Sequence, residues 1–282
     1  MPELPEVEIT MRKLAPQITG RKIVSFTSDW PRGLKADFKG HALEKDIFGR
    51  KIKYLSRIGK VLFLHLSKSG KEENYRKLGF HQRMSGRLAV LVSDELLTPN
   101  KHARVKIGLD NGRVLVFFDH RKFGVVWYGD DMFLSGDKYL NTLGADALSV
   151  SWLKFNKRLS AGKGIIKPFL LKQNVFAGIG NIVADETLWF AKIHPQKKVK
   201  SLDLKQRRAL FLSLKKVLKR SINMGGSSMR DWLHPDQSRG GYQDSWRAYG
   251  RAGQKCYRCG RVLKKAIVGG RGTTYCLFCQ RV

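Results

Sequence analysis

The first eight residues contain the groups with the clearest capacity for covalent chemistry. Removal of Met1 would leave Pro2 as the amino terminus, in the run Pro-Glu-Leu-Pro-Glu-Val-Glu at positions 2–8. A free α-amino group has a pKa of roughly 7.7–8.0, so part of it is unprotonated and nucleophilic at neutral pH. Attack of this secondary amine on an aldehyde-like carbon would give an iminium ion, the Schiff-base form of covalent catalysis. Glu3 and Glu6 could move protons during that reaction.

The same segment also has a purely structural interpretation. Pro5 suits the first turn of a helix, where its missing N–H costs nothing. Glu6 and Glu8 would then only complement the helix dipole. The apolar residues recur with helical spacing and predict a helix over 5–18: Val7, Met11, Leu14, Ala15 and Ile18. By itself the motif leaves the catalytic and the structural interpretations open.

Four cysteines form two Cys-x2-Cys pairs, Cys256 with Cys259 and Cys276 with Cys279. Paired knuckles of this spacing each supply two thiolates to a tetrahedral zinc ion. Two disulfides are the alternative, which the predicted cytoplasmic location disfavours. We therefore predict one Zn²⁺ ion per chain, and its role is structural because protein ligands fill all four positions.

The composition indicates a polyanionic partner. The chain has 54 Lys and Arg against 23 Asp and Glu, for a formal charge of +31 and a pI near 10.3. Residues 195–282 alone have 21 basic and four acidic side chains. A domain this basic favours nucleic acid, because cations that neutralise phosphates supply most of the binding. An anionic membrane surface is the competing partner, but no long apolar stretch or signal peptide is present, so we expect a cytoplasmic protein without a membrane partner.

The hydrophobic pattern changes along the chain, which is long enough to bury two cores. From about Lys22 to Tyr128 short apolar or alternating runs predict strands, and Asp110-Asn111-Gly112 predicts a hairpin turn between two of them. Strands at this spacing suggest a sandwich or a flattened barrel. Beyond about Met132 the pattern becomes helical, most clearly over 202–222, and a Gly-rich stretch over 225–250 leads into the cysteine module.

A glycine-containing loop, Gly178-Ile179-Gly180-Asn181, lies between helical segments. The glycines would let this turn come close to another backbone. Asn181 is a good helix N-cap, which is the structural interpretation. The functional interpretation is a helix–two-turn–helix element whose exposed amides and helix dipole hold a DNA phosphate.

Taken together, these motifs resemble bacterial formamidopyrimidine-DNA glycosylases over almost the full length, in the family's order. Besides the amino-terminal run, the Gly-x-Gly-Asn loop and the cysteines, the resemblance rests on five further segments: Met84-Ser85-Gly86, Arg121-Lys122-Phe123-Gly124, Gly225-Gly226-Ser227 with Arg230-Asp231, Tyr249-Gly250-Arg251, and Gly270-Arg271-Gly272-Thr273. The resemblance implies an α+β protein of two domains. An N-terminal β-sandwich with an N-terminal helix (2–130) would precede a helix–two-turn–helix domain (131–235) with a C-terminal zinc ribbon (236–282).

The resemblance also implies roles for individual residues. Pro2 would attack C1′ of the damaged nucleotide, Glu3 would assist ring opening and Glu6 would support the amine. Lys60 and Arg271 would complete the catalytic set by holding phosphates near the lesion. Further DNA contacts would come from His102, Arg121, Lys167, Asn181 and Arg230. Met84, Arg121 and Phe123 would fill the void left by the extruded nucleotide; Met84 and Phe123 would otherwise be core residues.

The implied activity is that of a bifunctional DNA glycosylase and AP lyase of base excision repair. Its partner would be double-stranded DNA with oxidised purines or abasic sites, and a monomeric, bacterial, nucleoid-associated protein is expected. An endonuclease VIII-like enzyme for oxidised pyrimidines is the second hypothesis, although that family typically has Gly where Leu4 stands. A non-catalytic zinc-ribbon protein that binds damaged DNA is the third, and the presence of Pro2, Glu3 and Lys60 argues against it.

The chain departs from the family pattern at several positions. Val183 stands where Tyr is usual, Lys172 where Asp is common, and His120 where Pro precedes the Arg. Gln82-Arg83 replaces the usual Leu-Gly before Met84. The changes at His120 and Gln82-Arg83 lie beside the predicted void-filling residues and could alter the preference for the opposite base.

Overall fold

The protein folds into two compact units, each assembled from separate stretches of sequence. The computed structural model describes residues 2–68, 75–92, 101–229 and 232–281. Unit 1 comprises residues 1–2, 6–141 and 227–240, and unit 2 comprises residues 3–5, 142–226 and 241–282. Segment 227–240 therefore belongs to the unit that holds most of the strands. The predicted domain boundaries at 130 and 235 instead place residues 227–235 in the helical domain, and those boundaries remain a prediction.

Among the residues described, unit 1 contains one long helix from its third residue onward, three short helices and nine strands. Helix α1 spans Leu4–Ile18, and α2, α3 and α4 span His41–Ile47, Asp131–Gly136 and Lys138–Asn141. The strands are β1 Ile23–Ser28, β2 Leu34–Ala36, β3 Lys51–Ile58, β4 Val61–Ser67, β5 Arg76–His81, β6 Arg87–Val92, β7 Ala103–Leu109, β8 Arg113–Phe118 and β9 Val125–Gly129.

The strands of unit 1 form two sheets. One has the order β1-β7-β8-β6 and the other β2-β9-β5-β4-β3. Every pairing is antiparallel except that of β2 with β9. Side chains from both sheets, such as Phe117 and Phe80, enter one buried cluster together with Val7, Leu14 and Ile18 of α1. Two sheets that face a common core make a sandwich rather than a flattened barrel.

The predicted elements of this unit are largely confirmed. The helix expected over 5–18 is α1, and the hairpin expected at 110–112 joins β7 to β8 in register. Helix α2 was not predicted within the β region. It has seven residues and buries only Leu43 and Ile47, a stretch too short for a helical period to stand out.

Unit 2 is mainly helical. Its helices are α5 Trp152–Ser160, α6 Ile166–Leu171, α7 Asn181–Ala191 and α8 Leu204–Asn223. Strands β10 Ala145–Asp146 and β11 Phe176–Ala177 pair in parallel, and β12 Lys264–Val268 forms an antiparallel hairpin with β13 Arg271–Tyr275. Residues from α5 to α8 share one core, which contains Phe155, Phe169, Leu188 and Leu214.

Two features of unit 2 bear on function. Helix α6, the turns that follow it and α7 form the helix–two-turn–helix element, with α7 buried from Ile182 to Trp189. Helix α8 begins with a capping box in which Asp203 and Gln206 exchange side-chain and backbone hydrogen bonds. Among the described residues, none of the helices is long and apolar enough to cross a membrane.

Candidate active site and nucleic-acid interface

The carboxylate of Glu3 lies at the amino terminus of helix α7. Its Oε1 accepts a hydrogen bond from Ile182 N at 2.9 Å, and its Oε2 accepts one from Val183 N at 3.1 Å. Unpaired amides and the helix dipole make this helix end a natural anion site. The sequence led us to expect a DNA phosphate here, but an internal carboxylate takes these two amides. Glu3, which is 3% exposed, is thereby fixed in orientation directly after the buried Pro2.

The two glycines of the loop before α7 allow this close approach. A β-carbon on Gly180 would lie 2.2 Å from Cδ of Glu3, and one on Gly178 would lie 2.4 Å from Cδ1 of Leu4. Gly178 also has a φ of +106°, which L-residues rarely adopt, and its carbonyl accepts a hydrogen bond from Leu4 N at 3.2 Å. The close backbone approach predicted for this loop is therefore confirmed, and the segment that it approaches is the amino-terminal one, at Glu3 and Leu4.

Glu6 contacts the segment that follows α8. Its Oε1 accepts a hydrogen bond from Ser227 N at 2.8 Å, and its side chain is 3% exposed. Both residues belong to unit 1. The first turn of α1 thus anchors the start of segment 227–240, which lies within the Gly-rich stretch over 225–250.

Glu8 has a larger role than the helix-dipole interpretation gave it. Its two carboxylate oxygens bind Arg12 Nε and Arg57 Nε, each at 2.8 Å. Arg57 in turn donates from Nη1 to the carbonyl of Gly59 at 2.9 Å. Gly59 precedes the predicted phosphate ligand Lys60 in the turn between β3 and β4, and Lys60 is 6% exposed. Glu8 therefore fixes the backbone that carries Lys60.

The three residues predicted to fill the DNA void are exposed on two turns of unit 1. Met84 is 44% and Phe123 is 49% exposed, which excludes the alternative that they are core residues. The Arg121 guanidinium lies 4.7 Å from the centroid of the Phe123 ring, so a cation–π contact orients both side chains. Exposed large apolar side chains at turn tips are suited to insertion between bases.

Asp119 joins these two turns. Its Oδ1 accepts from Ser85 Oγ at 2.5 Å and from Arg121 N at 3.2 Å, while its Oδ2 accepts from Gly124 N at 2.7 Å. The side chain is completely buried. One carboxylate therefore sets the spacing between the Met84 turn and the Arg121–Phe123 turn, and sequence analysis did not identify it.

His81, at the end of β5, fixes the Met84 turn from the other side. Its Nδ1 accepts a hydrogen bond from Arg83 N at 3.0 Å, so the proton of the neutral ring is on Nε2. Nε2 lies 3.0 Å from the hydroxyl oxygen of Tyr139. Burial, and then the charges of Arg83 and Lys60, lower the pKa of His81 to about 3. The ring is therefore neutral at physiological pH. Arg83 has a φ of +50°, a left-handed conformation that the His81 bond helps to maintain.

Lys167 is fully buried, and its ammonium group is held by the β12–β13 hairpin and by α7. It pairs with Asp185 Oδ1 at 2.5 Å and donates to Thr273 Oγ1 at 2.7 Å and to the Gly272 carbonyl at 3.0 Å. Burial raises the pKa of Asp185 to about 6 and lowers that of Lys167, while their attraction opposes both shifts. Lys167 thus links α7 to the β12–β13 hairpin, and its predicted DNA contact stays a prediction.

Asn181 and Asp185 extend the same network. Asn181 Nδ2 donates to the Gly272 carbonyl at 2.9 Å, and Asp185 Oδ2 accepts from Thr274 N at 3.0 Å. Arg271 begins β13 and is exposed. Helix α7 thus fixes the hairpin directly beside Arg271, whose side chain is exposed.

Glu186 organises the segment between α8 and the cysteine module. Its carboxylate accepts hydrogen bonds from the backbone amides of Arg247, Ala248 and Tyr249 at 2.7–3.0 Å. Burial raises the pKa of Glu186, and these amide bonds oppose the rise. Tyr249, part of the Tyr-Gly-Arg motif, is held in place in this way.

The four cysteine sulfurs converge at the end of unit 2. All lie within 4.8 Å of one another, and the Sγ atoms of Cys259 and Cys276 are 3.5 Å apart. Cys256 and Cys276 are buried and pack with Trp189 and Leu263. Zinc–sulfur bonds of about 2.3 Å in a tetrahedron require sulfurs this close, so the four thiolates fit one structural zinc ion.

Two predicted DNA contacts remain. His102 is half-buried, and burial and then the charges of Lys101 and Arg104 lower its pKa, so it is neutral at pH 7. Its ring meets that of His120 at a centroid distance of 5.9 Å. Arg230 lies outside the described residues.

The residues whose functions the sequence did not reveal share a property. Asp119, His81, Glu8 and Glu186 are all buried polar side chains, and each binds at least one group that is 34 or more residues away in sequence. The only sequence signal was proximity, since Asp119 is two residues before Arg121 and His81 is three before Met84.

Comparison with known proteins gives the same family along the whole chain. The formamidopyrimidine-DNA glycosylase N-terminal domain matches residues 1–126, the formamidopyrimidine-DNA glycosylase H2TH domain matches 143–232, and the zinc finger found in FPG and IleRS matches 253–282. The formamidopyrimidine-DNA glycosylase of Herpetosiphon aurantiacus is 38% identical over 284 residues, covering 99% of this chain and 100% of the relative. That of Lactococcus lactis is 36% identical over 288 residues, covering all of both chains.

Solved structures agree. A complex between a Lactococcus lactis FPG mutant and Fapy-dG-containing DNA superimposes with a TM-score of 0.88 at 33% identity, covering 100% of both chains. A complex of Lactococcus lactis Fpg with abasic-site-containing DNA gives 0.87 at 32% identity, with the same coverage. On the combined findings, this chain belongs to the formamidopyrimidine-DNA glycosylase family.

Proposed function

We propose that this protein is a bifunctional DNA glycosylase and AP lyase that removes oxidised purines such as 8-oxoguanine and formamidopyrimidines from double-stranded DNA. The observation that carries the proposal is the fixed carboxylate of Glu3 on the α7 amides, next to the buried Pro2. Relatives of the same length bear the glycosylase name, and solved relatives hold DNA with Fapy-dG or an abasic site.

The chemistry follows from one secondary amine. After loss of Met1, the Pro2 nitrogen forms a bond to C1′ as the bond from C1′ to the damaged base breaks, and the base leaves with a proton. The sugar ring opens to an iminium ion joined to Pro2. The iminium acidifies the 2′ hydrogen, so its removal expels the 3′ phosphate by β-elimination, and δ-elimination then expels the 5′ phosphate. Glu3 transfers protons to and from the sugar during these steps.

DNA binding must extrude the damaged nucleotide before this reaction, because C1′ is inaccessible inside the duplex. We assign Met84 and Phe123 to the vacated space and Arg121 to the estranged cytosine, whose edge suits a guanidinium fork. The exposure of the three side chains supports this. We assign six further residues to contacts with phosphates and with the surroundings of the lesion: Lys60, Arg271, Asn181, His102, Lys167 and Arg230.

Each predicted domain would then have its own function. The domain over 2–130 would carry out catalysis, the domain over 131–235 would bind phosphates, and the zinc ribbon over 236–282 would position Arg271. A cytoplasmic, nucleoid-associated protein acting as a monomer is consistent with a formal charge of +31 and with a DNA substrate.

The proposal is tested by trapping the iminium. The protein is incubated with a duplex containing 8-oxoguanine opposite cytosine in the presence of borohydride, which reduces the Schiff base to a stable protein–DNA adduct. Pro2→Gly serves as the variant without a secondary amine, and a duplex with an oxidised pyrimidine serves as the alternative substrate.

We expect an adduct and cleavage on both sides of the lost nucleoside with the unaltered protein, and neither with Pro2→Gly. Faster excision of the oxidised pyrimidine than of 8-oxoguanine would favour the endonuclease VIII-like alternative. Binding to the damaged duplex without excision or trapping would leave only a damage-binding protein.

A further inference from the structure

Helix α8 has an exposed basic face that the proposed active site does not use. Five residues define it, the α8 stripe: Lys205, Arg208, Leu212, Lys216 and Lys219 are all exposed. At about 100° per residue these positions fall within an arc of about 80°. The buried residues Leu210, Leu214, Val217 and Leu218 centre about 170° away, where they join the core shared with α7. The stripe therefore lies on the side of α8 opposite its core-facing residues, and its Lys216 reaches the end of α7, at Phe190.

The two helices of this region contain no acidic residue. Helices α5 and α8 together have ten Lys and Arg and no Asp or Glu. Like charges three and four residues apart repel along a helix, and an acidic residue at i+4 usually offsets this repulsion. Here no such partner exists within α8, so a bound polyanion is what would relieve the repulsion.

Two cations of the stripe are already oriented. The Arg208 guanidinium lies 4.9 Å from the ring centroid of Trp152, and Lys216 Nζ lies 4.8 Å from that of Phe190. Cation–π contacts reduce the freedom of these long side chains, so less entropy is lost when they bind a ligand. From Lys205 to Lys219 the four charges span about 21 Å along the helix axis.

We propose that the α8 stripe binds a second segment of double-stranded DNA, separate from the segment that holds the lesion. Duplex DNA has one negative charge per about 1.7 Å of its axis, so a 21 Å row of cations meets phosphates along its whole length. Four of the five residues of the stripe are cations and one is a leucine, and most of the apolar residues of α8 are buried in the core, so the stripe favours a polyanion over a lipid interior. Because the stripe contains none of the residues assigned to the damaged segment, it can engage DNA while Asn181 and Arg271 hold that segment.

To test for a second DNA segment, the lesion site of the protein must already be occupied. The protein is saturated with a biotinylated short duplex containing a stable abasic-site analogue and captured on streptavidin, and a labelled undamaged 20-base-pair duplex is then added at low salt. The stripe variant changes Lys205, Arg208, Lys216 and Lys219 to Gln. A matched control changes four exposed lysines of unit 1, Lys39, Lys45, Lys51 and Lys53, to Gln and so removes the same charge.

We expect the unaltered protein and the control to retain the second duplex, and the stripe variant to lose at least about tenfold in its affinity for it. The log–log salt slope for the second duplex should reach about −3.6 if all four cations neutralise phosphates. All three proteins should capture the abasic duplex equally, which also reports correct folding. Excision of 8-oxoguanine from the short duplex is measured in parallel, so a failure of the proposed function is seen separately.

Three results would overturn the proposal. One is a saturated protein that retains no second duplex. Another is an equal loss in the stripe variant and the control, which would show a general charge effect. The third is stripe-dependent capture of phosphatidylserine vesicles without capture of the second duplex, which would assign the surface to membranes.

Discussion

The Glu3 carboxylate and the amide of Ile182 are joined by a hydrogen bond of 2.9 Å, with Val183 N as a second donor at 3.1 Å. A helix amino terminus that could hold a phosphate instead orients an acidic residue beside the predicted nucleophile. The two bonds use one lone-pair position on each carboxylate oxygen. The helix–two-turn–helix element therefore contributes to the site by positioning Glu3, in addition to any contact with DNA.

Gly180→Ala should disable this arrangement without disturbing the fold. The new β-carbon would lie 2.2 Å from Cδ of Glu3, so the carboxylate must move, whereas the backbone at Gly180 is in an ordinary region. A displacement of about 1 Å in such a site can lower the rate by about 10²-fold. Single-turnover excision of 8-oxoguanine measures the effect, and Gly136→Ala, where nothing lies within 4 Å, is the control. Equal rates for the two variants would show that the position of Glu3 is unimportant.

Asp119→Asn should loosen both void-filling turns. An amide nitrogen would replace one of the two oxygens that accept from Ser85, Arg121 and Gly124, and a buried donor left unpaired costs about 1–3 kcal/mol. We expect slower excision with any opposite base, because Met84 would fill the void less well. We also expect weaker discrimination between cytosine and adenine, because the Arg121 donors would be displaced. Full retention of both properties in Asp119→Asn would contradict a positioning function for this carboxylate.

The buried pair of Lys167 and Asp185 allows a double-mutant test. Lys167→Met leaves the Asp185 carboxylate without its cation and should destabilise the protein by about 3–5 kcal/mol. Lys167→Met with Asp185→Asn should recover part of that loss, because no unpaired charge remains. If Lys167 acts by positioning the hairpin, excision and unfolding free energy should recover together. Recovered stability with excision still lost would indicate a direct contact between Lys167 and the lesion.

Cys259→Ser should release the zinc ion and displace Arg271. The ribbon that the cysteines hold includes the β12–β13 hairpin, at whose turn Arg271 is exposed. Binding to damaged and undamaged duplex should weaken alike, and the log–log salt slope should become shallower by about 1, because one phosphate contact would be lost; Arg271→Ala should have the same effect. Metal analysis and binding titrations at several salt concentrations test this. A selective loss of lesion binding with an unchanged slope would mean that Arg271 reads the base.

His81 should make stability depend on pH. Its pKa of about 3 lies below the ordinary value of 6.5, so between these pH values the unfolded chain binds a proton at His81 and the folded protein does not. The contribution of His81 to the free energy of unfolding is therefore fully present above about pH 6.5 and is lost as the pH decreases toward 3. Between pH 7 and 5 the loss should be about 2 kcal/mol. Urea unfolding of the unaltered protein should show this additional loss relative to His81→Gln, while the exposed His41→Gln should behave as the unaltered protein does.

The sequence by itself determined the features that depend on short-range pattern. The helical stripe of residues 7–18 became α1, the Asp-Asn-Gly turn at 110–112 joined β7 to β8, and the cysteine spacing predicted the sulfur cluster. In each case a fixed local period or spacing specifies the geometry, because neighbouring residues in a helix, hairpin or knuckle are already close in space.

Only the tertiary structure decided which partners the buried polar groups have. Glu3 lies 179 residues from Ile182, Lys167 lies 105 from Gly272, and Ser85 lies 34 from Asp119. No periodicity encodes such pairs, since they form when separate elements pack and each buried donor or acceptor must find a partner. For this reason Asp119 and His81 were missed, Glu8 was underestimated, and the amides of α7 were expected to hold a phosphate.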